Sequence, residues 1–187
     1  MNRRLTVALA ATAAFGVCAM GTASAAGAAA KPLKGKIRIT GGPVFKPGVM
    51  IGDNVRFNRN TTVKSGGTVK IIDKGSPMAG PHTVSLLKKS ALPRTIAEAE
   101  PCFEFGGVCG PLVAAHQFNP ETMEPGVAEY NAGAAGFDTM GDENTAGDSL
   151  YLPPGQGGSI KVTAEKGSKL TYFCAVHPWM QGKITVN

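Results

Sequence analysis

Three residues near the C-terminal end of this 187-residue chain stand at three-residue steps: Cys174, His177 and Met180, in YFCAVHPWMQGKITVN, Tyr172 to Asn187. The C-x2-H-x2-M stretch lies between two apolar strand-like segments, and Pro178 stiffens it. A thiolate, an imidazole and a thioether on one short loop can converge on a single point. The two sulfur donors are soft and favour Cu(I), and imidazole suits both oxidation states of copper. Zinc accepts Cys and His but gains little from a thioether and prefers four firm ligands. The set calls for one more histidine. The chain has only His82, His116 and His177. His82 follows Pro81 and opens an alternating segment, whereas His116 sits in a stretch without regular period, so His82 is the better candidate.

A trigonal pair of His and one Cys with a weak axial Met is the blue-copper electron-transfer arrangement. Three stretches carry a family resemblance: TVKSGGTVKI (Thr62 to Ile71), PHTV (Pro81 to Val84) and the C-x2-H-x2-M loop. On these the chain resembles the cupredoxins, within them the plastocyanin, pseudoazurin and amicyanin group. The short His-to-Met spacing of HPWM looks most like amicyanin. The resemblance covers Lys36 to about Leu86 and Gly155 to Asn187. It implies an all-β, eight-stranded Greek-key sandwich with one type 1 copper ion near one end, held by His82, Cys174, His177 and Met180. It implies a single-electron carrier cycling between Cu(I) and Cu(II). His177 would be the exit edge for the electron, and Pro178 and Trp179 would form an apolar patch around it for transient redox partners. No general base is evident, so an enzyme is not expected. Family members usually carry Asn directly after the first His. Here Thr83 takes that place, and Thr83 could replace only part of the hydrogen bonding that ties the two ligand segments together. The alternative function is copper storage or delivery without electron transfer.

The elements that must position these ligands read as short strands. Lys36 to Thr40, Thr61 to Lys64, Thr68 to Ile72, His82 to Leu86, Ser159 to Thr163, Lys169 to Cys174 and Lys183 to Val186 are strand candidates. Ser65-Gly66-Gly67 is a turn signal between the second and third. With 25 Gly, 13 Pro and a hydrophobic fraction of 43%, the composition points away from a helical bundle and toward a sandwich or barrel. Residues 1–25 read as a secretory signal: Arg3-Arg4, an apolar run from Leu5 to Met20, and the cleavage pattern Ala23-Ser24-Ala25. The run is too short to span a membrane. Residues 26–35 are expected to be a flexible lead-in, and 36–187 the domain that the cupredoxin resemblance implies. The protein is therefore expected to be secreted or periplasmic, where disulfides persist. Cys102 and Cys109 are close enough in sequence to pair; a structural disulfide is the simplest reading and a redox pair the other.

Residues 88–150 differ from the rest and read as a long irregular insertion. Thr95-Ile96-Ala97-Glu98 fits a capping box for a short helix that Pro101 soon ends. Between Thr95 and Leu150 lie ten of the thirteen acidic residues and none of the nineteen Lys and Arg. The insertion is either a solvated acidic loop over a basic body or a docking surface for a basic partner. An interaction module with the sandwich as scaffold is the corresponding third hypothesis. Net charge +6 does not point to nucleic acid, because the basic residues are spread along strands with little aromatic interleaving.

Overall fold

In the computed structural model, residues 35–58, 60–133 and 135–187 are described. The signal segment, nearly all of the lead-in and Cys18 lie outside these residues. The strands follow the alternation in the sequence. In β1 (Gly35–Thr40), Ile37 and Ile39 are fully buried while Lys36 and Arg38 face out. Next come a side hairpin, β2 (Pro43–Lys46) with β3 (Val49–Asp53), then β4 (Arg56–Phe57), β5 (Asn60–Val63) and β6 (Thr68–Asp73). The turn between β5 and β6 forms at Ser65-Gly66-Gly67, where Gly66 takes a φ of 73° that disfavours a side chain. β7 is His82–Leu86.

Residues 88–150 are largely built rather than irregular. They hold a short helix α1 (Ile96–Ala99), a longer one α2 (Gly110–Ala115), a small hairpin of β8 (Phe118–Asn119) with β9 (Glu124–Pro125), and β10 (Glu129–Tyr130). The Thr95 cap forms, its Oγ1 accepting the Glu98 N–H at 3.2 Å, while the Glu98 carboxylate reaches back one residue further than the box expects, accepting the Arg94 N–H at 2.6 Å. Cys102 and Cys109 are joined as a disulfide. Asp148, fully buried, accepts three backbone N–H groups, from Ala132, Asp138 and Thr139, at 2.7–2.8 Å. These constraints replace the regular ladders that the segment lacks. They also take Asp148 out of any acidic surface, and Asp142 pairs with Lys88 at 2.9 Å. The chain closes with β11 (Ser149–Leu152), β12 (Gly158–Lys161), β13 (Lys169–Phe173) and β14 (Gln181–Val186).

Two main sheets face each other. One has the order β12-β6-β1-β4 and the other β10-β11-β7-β13-β14-β5. The chain passes repeatedly from one sheet to the other, as a Greek-key sandwich requires. β1 and β6 run parallel with Ile37 opposite Ile71, and β14 and β5 run parallel with Val186 opposite Val63. Ile37, Ile71 and Ile160 from the first sheet meet Val84, Leu86, Leu152 and Ile184 from the second in one core. Phe57 and Tyr172 bridge the sheets edge to face at 5.1 Å. Each fully buried side chain of this kind contributes roughly 1.5–3 kcal/mol.

The second sheet is covered on its outer face as well. Leu87, Leu92, Cys102, Cys109, Leu112 and Phe173 form a separate cluster there. Alternation sends Tyr172 into the sandwich and Phe173 into this outer layer. β7 is consequently buried at all five positions. Its outward residues Thr83 and Ser85, which alternation alone would leave to solvent, lie under the 88–150 segment.

Candidate metal centre

His82 begins β7 after a 3-10 turn, Pro77–Ala79, capped by Ser76, whose side chain accepts the Met78 N–H at 3.3 Å. The strand pairing His82 with Leu152 fixes its height in the sheet. Cys174 directly follows β13, the neighbour of β7, so two ligand candidates distant in sequence emerge from adjacent strands. The loop after Cys174 is closed by two backbone bonds. Cys174 N–H donates to Met180 O at 3.0 Å, and Met180 N–H donates to His177 O at 2.8 Å. These bonds fold the C-x2-H-x2-M stretch back on itself.

One ligand atom each from His82, Cys174 and His177 lies within 4.8 Å of the others, and all three residues are buried. His177 Nδ1 is 3.7 Å from the Cys174 sulfur. The two imidazole rings are tilted, with centroids 5.0 Å apart. Met180 is 1% exposed and belongs to the main core. His116 stands elsewhere: its Nδ1 lies 2.6 Å from Val127 O and its Nε2 2.7 Å from Ser149 Oγ.

The electrostatics of the group suit a cation. Both ring nitrogens of His82 are buried without a hydrogen-bond partner. The carboxylate of Asp73 approaches its Nε2 only to 3.9 Å, beyond hydrogen-bond range. That carboxylate is already engaged by the Gly75 and Gly155 N–H groups. An orphaned buried imidazole is costly, and a metal ion bound at its unprotonated nitrogen would remove part of the cost. Burial lowers the His82 pKa, opposed by the charges of Asp73 and Asp53. His177 is lowered to about 4, first by burial and then by His82 beside it. Both rings are thus neutral and available as ligands at neutral pH. Burial raises the Cys174 thiol, while the N–H groups of Thr83, His177 and Val176 and the Thr83 hydroxyl pull the other way. These donors favour the thiolate, the form that binds metal.

Thr83 ties the ligand segments together. Its N–H donates to the Cys174 sulfur at 3.3 Å and its Oγ1 accepts the Ala175 N–H at 2.8 Å. One short side chain and its own backbone N–H thus span from the His82 strand to the Cys174 loop.

The chain matches no protein-family model and no curated protein. It is similar to several solved structures. A novel purple cupredoxin from Nitrosopumilus maritimus is 16% identical over 81% of this chain and 98% of that one, with a TM-score of 0.39. Auracyanin B is 14% identical over 84% and 91%, with a TM-score of 0.40. Auracyanin A, a "blue" copper protein from Chloroflexus aurantiacus, is 20% identical over 71% and 89%, with a TM-score of 0.38.

At such low identity and overlap, what this chain's centre can do rests on its own geometry: two neutral imidazoles and one hydrogen-bonded thiol, buried and convergent.

The surface over the centre differs from the patch expected around His177. His177 is 6% exposed and Pro178 is buried. Trp179 is 47% exposed, although its Nε1–H donates to Val55 O at 3.1 Å. Val176 is exposed beside it, and Phe103 from the 88–150 segment sits 6.4 Å from the Trp179 ring. Thr83 was expected to supply part of the tie between the ligand segments, and it does so through two bonds; sequence reasoning missed Phe103 and the serines of the outer layer. The phenylalanine beside a cysteine in a Gly-rich stretch was the one visible sign of the first. Among the described residues, no helix is long and apolar enough to cross a membrane.

Proposed function

We propose that this protein is a secreted or periplasmic type 1 copper protein that carries single electrons between redox partners. The observation that carries the reading is the buried convergence of His82, Cys174 and His177, with both His82 ring nitrogens left without a hydrogen-bond partner. Met180, folded back onto the same loop by its backbone bonds, is the fourth ligand of the proposed set. When bound, copper supplies a Cu(I)/Cu(II) couple, and the mixed soft and borderline donors suit both states. The chain's own contribution is to hold these side chains in place. β7 and β13 fix the heights of His82 and Cys174, and the Thr83 bonds lock the two segments. The sandwich core excludes water from the sulfur.

Transient partners would meet the apolar surface of Trp179, Val176 and Phe103 beside His177. A small apolar patch of this kind suits a weak redox encounter. The experiment is a visible spectrum of the copper-loaded protein. Cu(II) should give an intense thiolate-to-metal band that bleaches on reduction, and Cys174→Ala should abolish it. A Cys174→Ala variant that stays blue would falsify the ligand set. Copper that exchanges freely but does not cycle with a redox partner would replace electron transfer by storage or delivery.

A further inference from the structure

Among the described residues, three non-glycine residues adopt left-handed backbone, and all three lie on or beside one cavity. Phe105 and Met123, each with a φ of 59°, line it directly, and Gln117, with a φ of 50°, stands between its wall residues His116 and Phe118. Such backbone crowds a side chain, so glycine is its usual occupant. Phe105 ends the 3-10 turn Glu100–Glu104, a place where glycine caps a turn without strain. Core packing does not account for the choice of residue: Phe105 is 40% exposed and Met123 57%. Strained backbone that holds up half-exposed apolar side chains points to a ligand.

The cavity has a volume of about 720 Å3, a size that holds a small organic molecule. Leu112 and the disulfide of Cys102 with Cys109 are buried in its wall. That disulfide closes the loop that carries Phe103 and Phe105. The Phe105 ring lies 5.2 Å from the Phe118 ring, and the Cys109 sulfur lies 3.4 Å from Ala175 O. The loop is therefore tied at both ends before anything binds, which lowers the entropy cost of binding. Ala175 and Val176 share the same wall, so an occupant rests against the backbone that follows Cys174.

The polar groups of the wall restrict what fits. Thr83 and His116 are engaged within the chain. Thr83 Oγ1 accepts the Ala175 N–H and the Ser85 hydroxyl, and the two His116 nitrogens face Val127 O and Ser149 Oγ. Thr122, Glu124 and Tyr151 remain for an occupant. No Lys or Arg lines the cavity. The stretch from Thr95 to Leu150, which supplies most of the wall, holds ten acidic residues and no Lys or Arg. An anionic occupant would lose its hydration without gaining a partner. A carboxylate only accepts, so a group facing Glu124 must donate.

We propose that this cavity binds a small aromatic molecule, of one or a few fused rings, that carries an O–H or N–H donor and no negative charge. Its rings lie among Phe103, Phe105, Phe118 and Met123, and its donor meets the Glu124 carboxylate. None of these contacts uses a proposed metal ligand, so the inference stands apart from the copper reading.

The test is an NMR titration of the full metal-free chain at pH 7 with two probes that share one ring system: 2-naphthol, which is neutral, and 2-naphthoate, which is an anion. 2-Naphthol should move the amides of Leu112, Val113, Ala175 and Val176 in a saturable way, and it should bind roughly tenfold or more tighter than 2-naphthoate. Glu124→Gln should narrow that ratio by roughly two- to fivefold, the effect of one exposed charge pair. Ala128→Trp fills the cavity from an exposed position on its wall and should abolish the shifts. Val113→Trp does the same from α2 should the first variant fail to fold. Met123→Gly relieves backbone strain and should weaken 2-naphthol binding by roughly threefold or more without lowering the urea midpoint. The absence of saturable shifts at these amides, equal affinity for the two probes, or full affinity in both tryptophan variants overturns the proposal. A protein that never develops the thiolate-to-copper band would sink the copper reading and leave this titration unaffected.

Discussion

Thr83→Val removes one hydroxyl and almost nothing else. Valine has the shape of threonine, so the change isolates hydrogen bonding from packing. Thr83 is 4% exposed, so little water can take the place of its Oγ1 as acceptor for the Ala175 N–H, now held at 2.8 Å. An orphaned buried N–H costs about 1–3 kcal/mol. The Thr83 N–H bond to the Cys174 sulfur at 3.3 Å survives, because it belongs to the backbone. In urea, at about 1–3 kcal/mol per molar, the metal-free variant should unfold at a midpoint lower by roughly 0.5–2 M with an unchanged slope. Equilibrium unfolding measures the loss. An unchanged urea midpoint would refute the argument that Thr83 ties the ligand segments.

Other perturbations probe the surrounding frame. Replacing both Cys102 and Cys109 by Ala opens a short loop and should cost about 2–3 kcal/mol in thermal or urea unfolding; a smaller loss would show the outer layer held by packing alone. Asp148→Ala strips the acceptor from the N–H groups of Ala132, Asp138 and Thr139 and should destabilise by at least about 3 kcal/mol, with hydrogen exchange accelerating at those three amides first. The metal-free protein should lose stability on acidification. His82, His116 and His177 all have folded pKa values below 6.5, and His177 lies at about 4. In that window the unfolded chain binds more protons, so stability is full above about pH 6.5 and declines as the pH falls toward 4. His177 alone accounts for roughly 3 kcal/mol of this. Urea midpoints that do not fall between pH 7 and 4.5 would contradict the buried, neutral state of the rings.

The candidate ligand loop was legible because its chemistry is local. Cys174, His177 and Met180 share seven residues, and thiolate, imidazole and thioether together suit few metals. The strands were legible for a similar reason: an alternating segment such as Lys36 to Thr40 has one face to bury, and Ile37 and Ile39 buried it. The 88–150 segment was legible only in part, because what orders it is not periodic. The Cys102–Cys109 pair and the capped helix at Thr95 could be read from local residues, but the buried Asp148 carboxylate acts through single contacts that leave no repeat in the sequence. β11 was missed for the same reason, its Ser149 being read as part of a loop.

Residue types alone determined which atoms could coordinate and which strands had a core-facing side. Tertiary structure decided what lay on the other side of those strands. Thr83 and Ser85 alternate outward, and only the covering of that face by residues 88–150 turns them into a dry hydrogen-bonded row meeting His116. A pattern along the chain reports the direction of a side chain, but not what a segment tens of residues away will bring to meet it.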